Sequence, residues 1–344
     1  MNRKYILPLL LVIASIFLSD CSFPHATTPE PTVASTAAPI PIPPTDTPPA
    51  LALRTTELGL VENPIILALA PSATAEQINA AHYIADQLTQ RTGYVVVTVI
   101  PDSYSALVDA FQNGNAHIAL LTPYAYALAY QQGSVYAAFA TLKDGDVAYG
   151  AQFIASREGG FKSYFDPVTE TNTADAKKAL SQFMDKKPCW SDETSPSGYV
   201  IPAGYLLANG VTTQPAAFVA GHPTVVRSLY ASGICDFGGT YIDARKFPSL
   251  ENEFPDLMEK VILVWRIPEI IPYDLFAFSS NMPQGMRNLF NDQILALLQT
   301  DEGLAAFKTA YNIEAIQPAN DAFYDEFRTY VEASGVDISK VLDN

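Results

Sequence analysis

The sequence predicts an α/β protein whose globular body, Leu58–Asn344, folds into two lobes. Strand and helix patterns alternate along this body, which is typical of parallel sheets with helices on both faces. The alternation restarts after an apolar strand at Val147–Ser156, and the body is long enough to bury two separate cores. We therefore expect two α/β units, which the chain links by crossovers near Ala148–Gln152 and Trp265–Glu269.

The first unit begins with a short apolar strand and an amphipathic helix. Apolar residues recur at helical spacing along the helix, and the β-branched run that follows is typical of a strand buried on both faces. The predicted elements are strands at Pro64–Leu69, Tyr94–Ile100, His117–Leu121 and Val147–Ser156, and helices at Thr74–Arg91, Tyr104–Asn113 and Pro123–Gln131.

The second unit repeats the alternation, and the chain then returns to the first unit. Its predicted elements are strands at Lys187–Trp190, Ala217–Ala220, Ile234–Gly238 and Val261–Arg266, and helices at Ser197–Asn209 and Pro223–Ser232. The returning segment has a strand at Asp274–Ser279 and helices at Pro283–Thr300, Asp301–Tyr311 and Ala319–Ser334. We expect these last helices to pack on the first unit. Ligands of open α/β sheets bind beyond the carboxyl ends of the strands, so we expect one ligand cleft between the units.

The N-terminus predicts export. Arg3 and Lys4 precede an apolar stretch, Tyr5–Leu18, that is too short for a spanning helix. The next residues, up to Cys21, resemble a bacterial lipoprotein cleavage box, so residues 1–20 are a predicted signal peptide and Cys21 a predicted lipidation site. An uncleaved membrane anchor is the alternative, and both place the body outside the cytoplasm on the cell membrane.

Residues 21–54 are rich in Pro, Thr and Ala. Such a composition buries too little apolar surface to fold and favours an extended chain. We expect a disordered tether that holds the body away from the membrane.

Charge and cysteine content narrow the function further. A net charge of −16 argues against nucleic acid as a partner, but a local cluster of N–H and O–H donors still suits a small anion. After Cys21 only Cys189 and Cys235 remain, which in an exported protein suggests a disulfide, with free buried thiols as the alternative. No motif indicates a metal or another cofactor.

The most informative segment is Trp190–Pro202, where a predicted strand ends in hydroxyl-bearing residues before a predicted helix. Free N–H groups and the helix dipole favour an anion at such a point, with Ser195 and Ser197 as further donors. An ordinary helix cap is the alternative. Three further strand-to-helix turns present Ser72, Tyr104 and His222. Four such turns that open on one cleft would suit a tetrahedral oxyanion.

Several segments resemble, in order and spacing, the substrate-binding lipoproteins of phosphate/phosphonate-type ABC importers. They are Asp102–Tyr104, Asn113–Ala119, Thr122–Tyr126, Ser195–Pro202, Ala220–His222 and Ile271–Asp274. The resemblance implies a type II periplasmic-binding-protein fold with two lobes and a two-strand hinge. Lobe 1 would comprise residues 55–150 and 267–344, and lobe 2 residues 151–266. It also implies capture of a phosphonate, phosphite or phosphate and delivery to an ABC permease, without catalysis.

The resemblance also implies ligand contacts. Tyr104, Ser195, Ser197, His222 and Asp274 match family positions, and Asp243 falls near an acidic position used by aminophosphonate binders. Family members usually carry Ser-Thr-Ser-Gly where this chain has Pro196 in second place, and some carry a ligand-contacting Tyr where this chain has Leu121. These departures remove donors that Tyr124, Tyr126 or Thr122 would have to replace.

Two other functions are consistent with the residues. One is the binding subunit of a sensor or scavenging system with a different small ligand. The other is a hydrolase that uses Ser195, His222 and Asp274, although the chain lacks a GxSxG elbow around Ser195.

Overall fold

The computed structural model describes residues 57–342, so the predicted signal peptide, the lipidation site Cys21 and the whole of the tether lie outside the described residues. The strands are β1 (Ile65–Ala68), β2 (Val96–Val99), β3 (Ile118–Leu121), β4 (Val135–Leu142), β5 (Ala148–Ser156), β6 (Phe165–Asp166), β7 (Thr171–Asn172), β8 (Pro188–Trp190), β9 (Ala217–Phe218), β10 (Phe237–Tyr241), β11 (Val261–Pro272), β12 (Leu275–Ser279) and β13 (Ala315–Pro318). The α-helices are α1 (Ala75–Thr92), α2 (Tyr104–Gln112), α3 (Pro123–Gln131), α4 (Ala176–Leu180), α5 (Ile201–Ala208), α6 (His222–Ala231), α7 (Pro248–Glu253), α8 (Leu257–Lys260), α9 (Gln284–Leu298), α10 (Asp301–Tyr311), α11 (Asp325–Ser334) and α12 (Ile338–Leu342).

The first sheet has the order β13-β4-β12-β3-β1-β2. Strand β1 runs parallel to β2 and β3, whereas β12 is antiparallel to β3 and β4, so the sheet is mixed rather than parallel throughout. One face packs on α1 through its buried stripe, which includes Ile84 and Leu88, and on α9 and α10. The other face packs on α2 and α3 around Phe111 and Tyr126.

The second sheet has the order β11-β5-β10-β8-β9. Strand β8 is parallel to β9 and β10, and β5 is antiparallel to β10 and β11. One face buries aromatic residues such as Phe153 and Phe237 under α5, and the other packs on α6. Two mixed sheets with helices packed on their faces confirm the predicted α/β fold class.

Paired strands connect the sheets. The chain leaves the first sheet after β4 for β5, and it returns from β11 to β12. Strands β5 and β11 pair along their lengths, from Val261 opposite Ser156 to Pro272 opposite Ala148. The expected crossover segments therefore lie within β5 and β11, and the first sheet itself ends at Leu142.

Some elements differ from the prediction. The unpredicted elements are strands β4, β6, β7 and β13 and helices α4, α7, α8 and α12, and β10 lies three residues later than expected. Ser232 and Gly233 have positive φ, so the chain still turns where the strand was predicted to begin. Gly238 is required inside β10, because a Cβ atom there would lie 2.5 Å from a methyl carbon of Val225.

The C-terminal segment contacts both sheets. Helices α9 and α10 pack with the first sheet as expected, but the expectation was wrong for α11, which packs on α5. The ring of Tyr330 stacks on Tyr205 with centroids 3.7 Å apart. Just before α11, the carboxylate of Asp321 accepts hydrogen bonds from the Tyr126 hydroxyl and from the N–H of Ala137. An amphipathic pattern shows that a helix has an apolar face, but it does not show which sheet that face covers.

Among residues 57–342, no helix has both the length and the apolar composition needed to cross a bilayer.

Candidate functional site

The turn after β8 is built around the hydroxyl of Ser195. Its oxygen accepts a hydrogen bond from the N–H of Gly198 at 3.0 Å, and its backbone carbonyl accepts from Tyr199 and Val200. Residues Pro196–Val200 therefore form a wide turn of π-helix that continues into α5. Proline fits at this first turn because its missing N–H has no intrahelical partner to bond. The Ser195 hydroxyl hydrogen remains available to a ligand.

The start of α6 is joined to this turn through Ser191. The N–H of Ser191 donates to the carbonyl of Gly198 at 3.3 Å, and its carbonyl accepts from the N–H of Gly221 at 3.0 Å. His222 follows Gly221 directly and opens α6. The two turns that the sequence predicts as donor sites are thus adjacent in the structure.

Three buried polar atoms of this region have no hydrogen-bond partner: Tyr124 Oη, Ser191 Oγ and His222 Nδ1. They are three of the eight such side-chain atoms in the described part of the chain. A buried polar group without a partner costs about 1–3 kcal/mol, so a cluster of them needs an explanation. A polar ligand that accepts hydrogen bonds from these groups supplies one.

Tyr124 comes from α3, which packs on the first sheet. It lies in the first turn of α3, which Thr122 caps by accepting from the N–H of Ala125 at 3.3 Å. The Tyr124 ring is 6% exposed and contacts Phe327 of α11. Burial raises the pKa of Tyr124 well above its usual value, with smaller contributions from Tyr149 and Asp192. Its phenol is therefore a neutral donor at physiological pH.

A second group runs from Ser197 to Tyr104. Burial raises the pKa of the Tyr149 phenol to about 12, and the nearby hydroxyl of Ser197 opposes part of this rise. Burial raises the pKa of Asp274 to about 6. The pKa of Tyr104 is raised by its burial and by the nearby charge of Asp274. Tyr149, which the sequence did not indicate, thus lies near Ser197 and Asp274, and Asp274 lies near Tyr104.

His222 is a neutral imidazole in this setting. Burial lowers its pKa, and the carboxylate of Asp192 only partly opposes that effect. The ring packs edge-on against Tyr241 with centroids 4.8 Å apart. A neutral imidazole has one N–H donor and one acceptor nitrogen, so Nδ1 can donate to an oxyanion in one tautomer.

A solvent-open cavity of about 660 Å³ adjoins the part of this region that holds Ser197 and His222. Ser197, His222 and Tyr149 line it, together with Tyr273, whose ring stacks on Tyr149 at 5.4 Å. The cavity is much larger than a bare tetrahedral oxyanion requires. It therefore has room for the organic substituent of a phosphonate.

Two predicted site residues lie apart from this cluster. Ser72 is exposed in the turn after β1, with a positive φ of 63°, and Thr74 rather than Ser72 caps α1. The side chain of Asp243 is buried. Burial by itself raises its pKa, but hydrogen bonds from Arg245 and Gln152 outweigh that effect, so the pKa lies below its usual value. Its carboxylate pairs with Arg245 at 2.6 Å, so its charge is already neutralised. An arginine two residues away was the signal for this pairing in the sequence.

A disulfide bond joins Cys189 to Cys235, with the Cα atoms 5.6 Å apart. Cys189 lies in β8, one residue before Trp190. The bond therefore anchors the strand that leads into the Ser195 turn.

Two mixed sheets linked by β5 and β11, with helices on their faces, are the architecture of periplasmic substrate-binding proteins. The family model described as "ABC transporter, phosphonate, periplasmic substrate-binding protein" matches residues 67–324. The chain belongs to this family, as the sequence motifs predicted.

A curated relative is the phosphate-import protein PhnD of Mycolicibacterium smegmatis. It is 27% identical over 196 residues, which cover 54% of this chain and 56% of the relative, so the match spans about half of that protein. Among solved structures, XAC2383 from Xanthomonas citri bound to ATP is 17% identical, with a TM-score of 0.54 over 81% of this chain and 98% of that chain. The chloride-bound form of XAC2383, also 17% identical, gives a TM-score of 0.53 over the same shares of both chains. At this identity, the structural likeness concerns the fold alone.

Proposed function

We propose that this protein is an extracytoplasmic solute-binding lipoprotein that captures a small oxyanion of the phosphonate, phosphite or phosphate class. The observation that carries the proposal is the pair of buried, unpartnered donors Tyr124 Oη and His222 Nδ1 beside the hydroxyls of Ser195 and Ser197. Lipidation of Cys21 would tether the protein to the membrane. An ABC permease there would receive the ligand.

Neutral donors suit this ligand class. Phenol, hydroxyl and imidazole groups donate to an oxyanion without a permanent countercharge, and each bond to a charged oxygen contributes about 1.5–3 kcal/mol. Asp274, whose charge acts on Tyr104 and Tyr149, would add an acceptor. It favours a ligand that carries a hydrogen, such as a protonated oxygen or an ammonium group.

The lobe that contains the first sheet would supply Tyr104, Tyr124 and Asp274, with Thr122 positioning α3. The lobe that contains the second sheet would supply Ser195, Ser197 and His222. The lobes would close around the ligand by bending at the paired strands β5 and β11. Ligand binding would thereby stabilise the closed form that the permease recognises.

Isothermal titration of the purified protein with methylphosphonate, phosphite, phosphate and sulfate tests the proposal. We expect at least one phosphorus oxyanion to bind, and Tyr124→Phe to weaken that binding roughly ten- to a hundredfold through the lost hydrogen bond. Tyr83→Phe is the matched control, because Tyr83 lies on α1 and is 37% exposed. The proposal is wrong if no phosphorus oxyanion binds, or if Tyr124→Phe binds as the wild type does.

We infer that the site binds rather than hydrolyses its ligand. The Ser195 oxygen accepts from the N–H of Gly198, and His222 Nδ1 has no partner among the described residues, so no bonded Ser–His pair supports a nucleophile. Prolonged incubation with a phosphate monoester should release no alcohol. Turnover that Ser195→Ala abolishes would contradict this inference.

A further inference from the structure

Ser191 is not among the ligand contacts that the sequence predicts. Ser191 is fully buried, and its Oγ has no hydrogen-bond partner. Its backbone N–H and carbonyl are both bonded, to Gly198 and Gly221. Only the side chain is therefore left unsatisfied.

The position of this hydroxyl is defined by Gly198. A Cβ atom at Gly198 would lie 1.9 Å from Ser191 Oγ and 2.8 Å from Ser195 Oγ. The two serine hydroxyls thus lie over the same glycine, at the start of the wide turn. The backbone of Ser191 is bonded both to Gly198 and to Gly221, the residue before His222, so Ser191 links the two donor turns.

The chemistry of the turn favours one more donor at this point. Pro196 has no N–H, so the first turn presents one backbone donor fewer than a turn without proline. The Ser195 hydroxyl accepts from the N–H of Gly198 and has a single hydrogen to give to a ligand. Ser191 has a free hydroxyl hydrogen, and an oxyanion oxygen is a strong acceptor for it.

We propose that Ser191 is a ligand-binding residue that donates its hydroxyl hydrogen to an oxygen of the bound oxyanion. Gly198 leaves the space that this hydroxyl occupies. The assignment rests on the proposed function of the site. It adds a donor from the end of β8 to those from the starts of α3 and α6.

A ligand-binding hydroxyl and a purely structural one respond differently to removal. Ser191 Oγ has no partner in the ligand-free protein, so Ser191→Ala should leave the stability of that form unchanged or increase it. Ser134 is the matched control, because its buried hydroxyl donates to the carbonyl of Ala129 at 2.9 Å. Ser134→Ala should lower the melting temperature and leave the affinity unchanged.

The experiment is titration of wild type, Ser191→Ala and Ser134→Ala with methylphosphonate, phosphite and phosphate, beside melting curves without ligand. We expect Ser191→Ala to raise the Kd roughly ten- to a hundredfold, as for one lost bond to a charged oxygen, without lowering the ligand-free melting temperature. If the wild type binds and Ser191→Ala binds equally well, or if its ligand-free melting temperature falls as for Ser134→Ala, the Ser191 assignment is wrong. If the wild type binds none of the three, the proposed function fails and the assignment with it.

Discussion

Gly204→Ala tests whether α11 packs on α5 as the structure shows. A Cβ atom at Gly204 would lie 2.0 Å from the carbonyl oxygen of Tyr330. Ordinary contact needs about 3.5 Å, so the two helices would have to separate by roughly 1.5 Å. That separation would also disrupt the stacking of Tyr205 on Tyr330.

The cost follows from two contributions. Overpacking of a close interface costs about 1–3 kcal/mol, and a lost aromatic pair about 0.5–1.5 kcal/mol. We therefore expect Gly204→Ala to lower the free energy of unfolding by about 2–4 kcal/mol, which corresponds to roughly 4–16 °C in melting temperature. The ring of Phe327 on α11 contacts Tyr124, so oxyanion binding should weaken as well.

Thermal unfolding followed by circular dichroism is the assay, with Gly285→Ala as the control. Gly285 also lies in a helix, α9, but a Cβ atom there meets no atom within 4 Å. Its replacement should be neutral or raise stability by about 0.5–1 kcal/mol, since alanine is the better helix former. If Gly204→Ala and Gly285→Ala melt alike, α11 does not pack on α5 in this way.

Two further predictions concern charge and covalent structure. Burial raises the pKa of Asp274 from 3.8 to about 6, so the folded state binds this proton more tightly than the unfolded state. The bound proton therefore stabilises the folded state below pH about 4. This contribution, on the order of 3 kcal/mol, is lost as the pH rises through 6. Asp274→Asn without ligand should therefore be more stable than wild type at pH 7, with the gap closing towards pH 4; a constant gap in denaturant titrations would contradict this. For Cys189 and Cys235, mass spectrometry after alkylation should find no free thiol, and reduction should cost about 2–4 kcal/mol of stability; alkylation of both residues without reductant would show that the bond is absent.

The sequence predicts the parts of the site that follow a strand and open a helix. Ser195, Ser197 and His222 all lie at such points, where local pattern and helix-end chemistry agree. Tyr149 could not be found this way, because it lies in an apolar strand that is typical of a core. Only the fold places it on the cavity that Ser197 and His222 also line. Ser191 was inconspicuous for a related reason, since one serine in a polar turn carries no signal of burial.

Long-range packing accounts for most of the differences in the fold. Strand β4 is an apolar run that the sequence does show, whereas β13 is a largely exposed edge strand that contains Pro318 and has weak apolar alternation. The placement of α11 depends on the close approach that Gly204 permits. A glycine in a helical pattern does not reveal which partner it admits.

A crystal structure of the protein with the phosphorus oxyanion that binds best tests the central claim most directly. We predict ligand oxygens at roughly 2.5–3.2 Å from Tyr124 Oη, the hydroxyls of Ser195 and Ser197, and His222 Nδ1. An anion bound elsewhere, with Tyr124 and His222 still unpartnered, would contradict the claim.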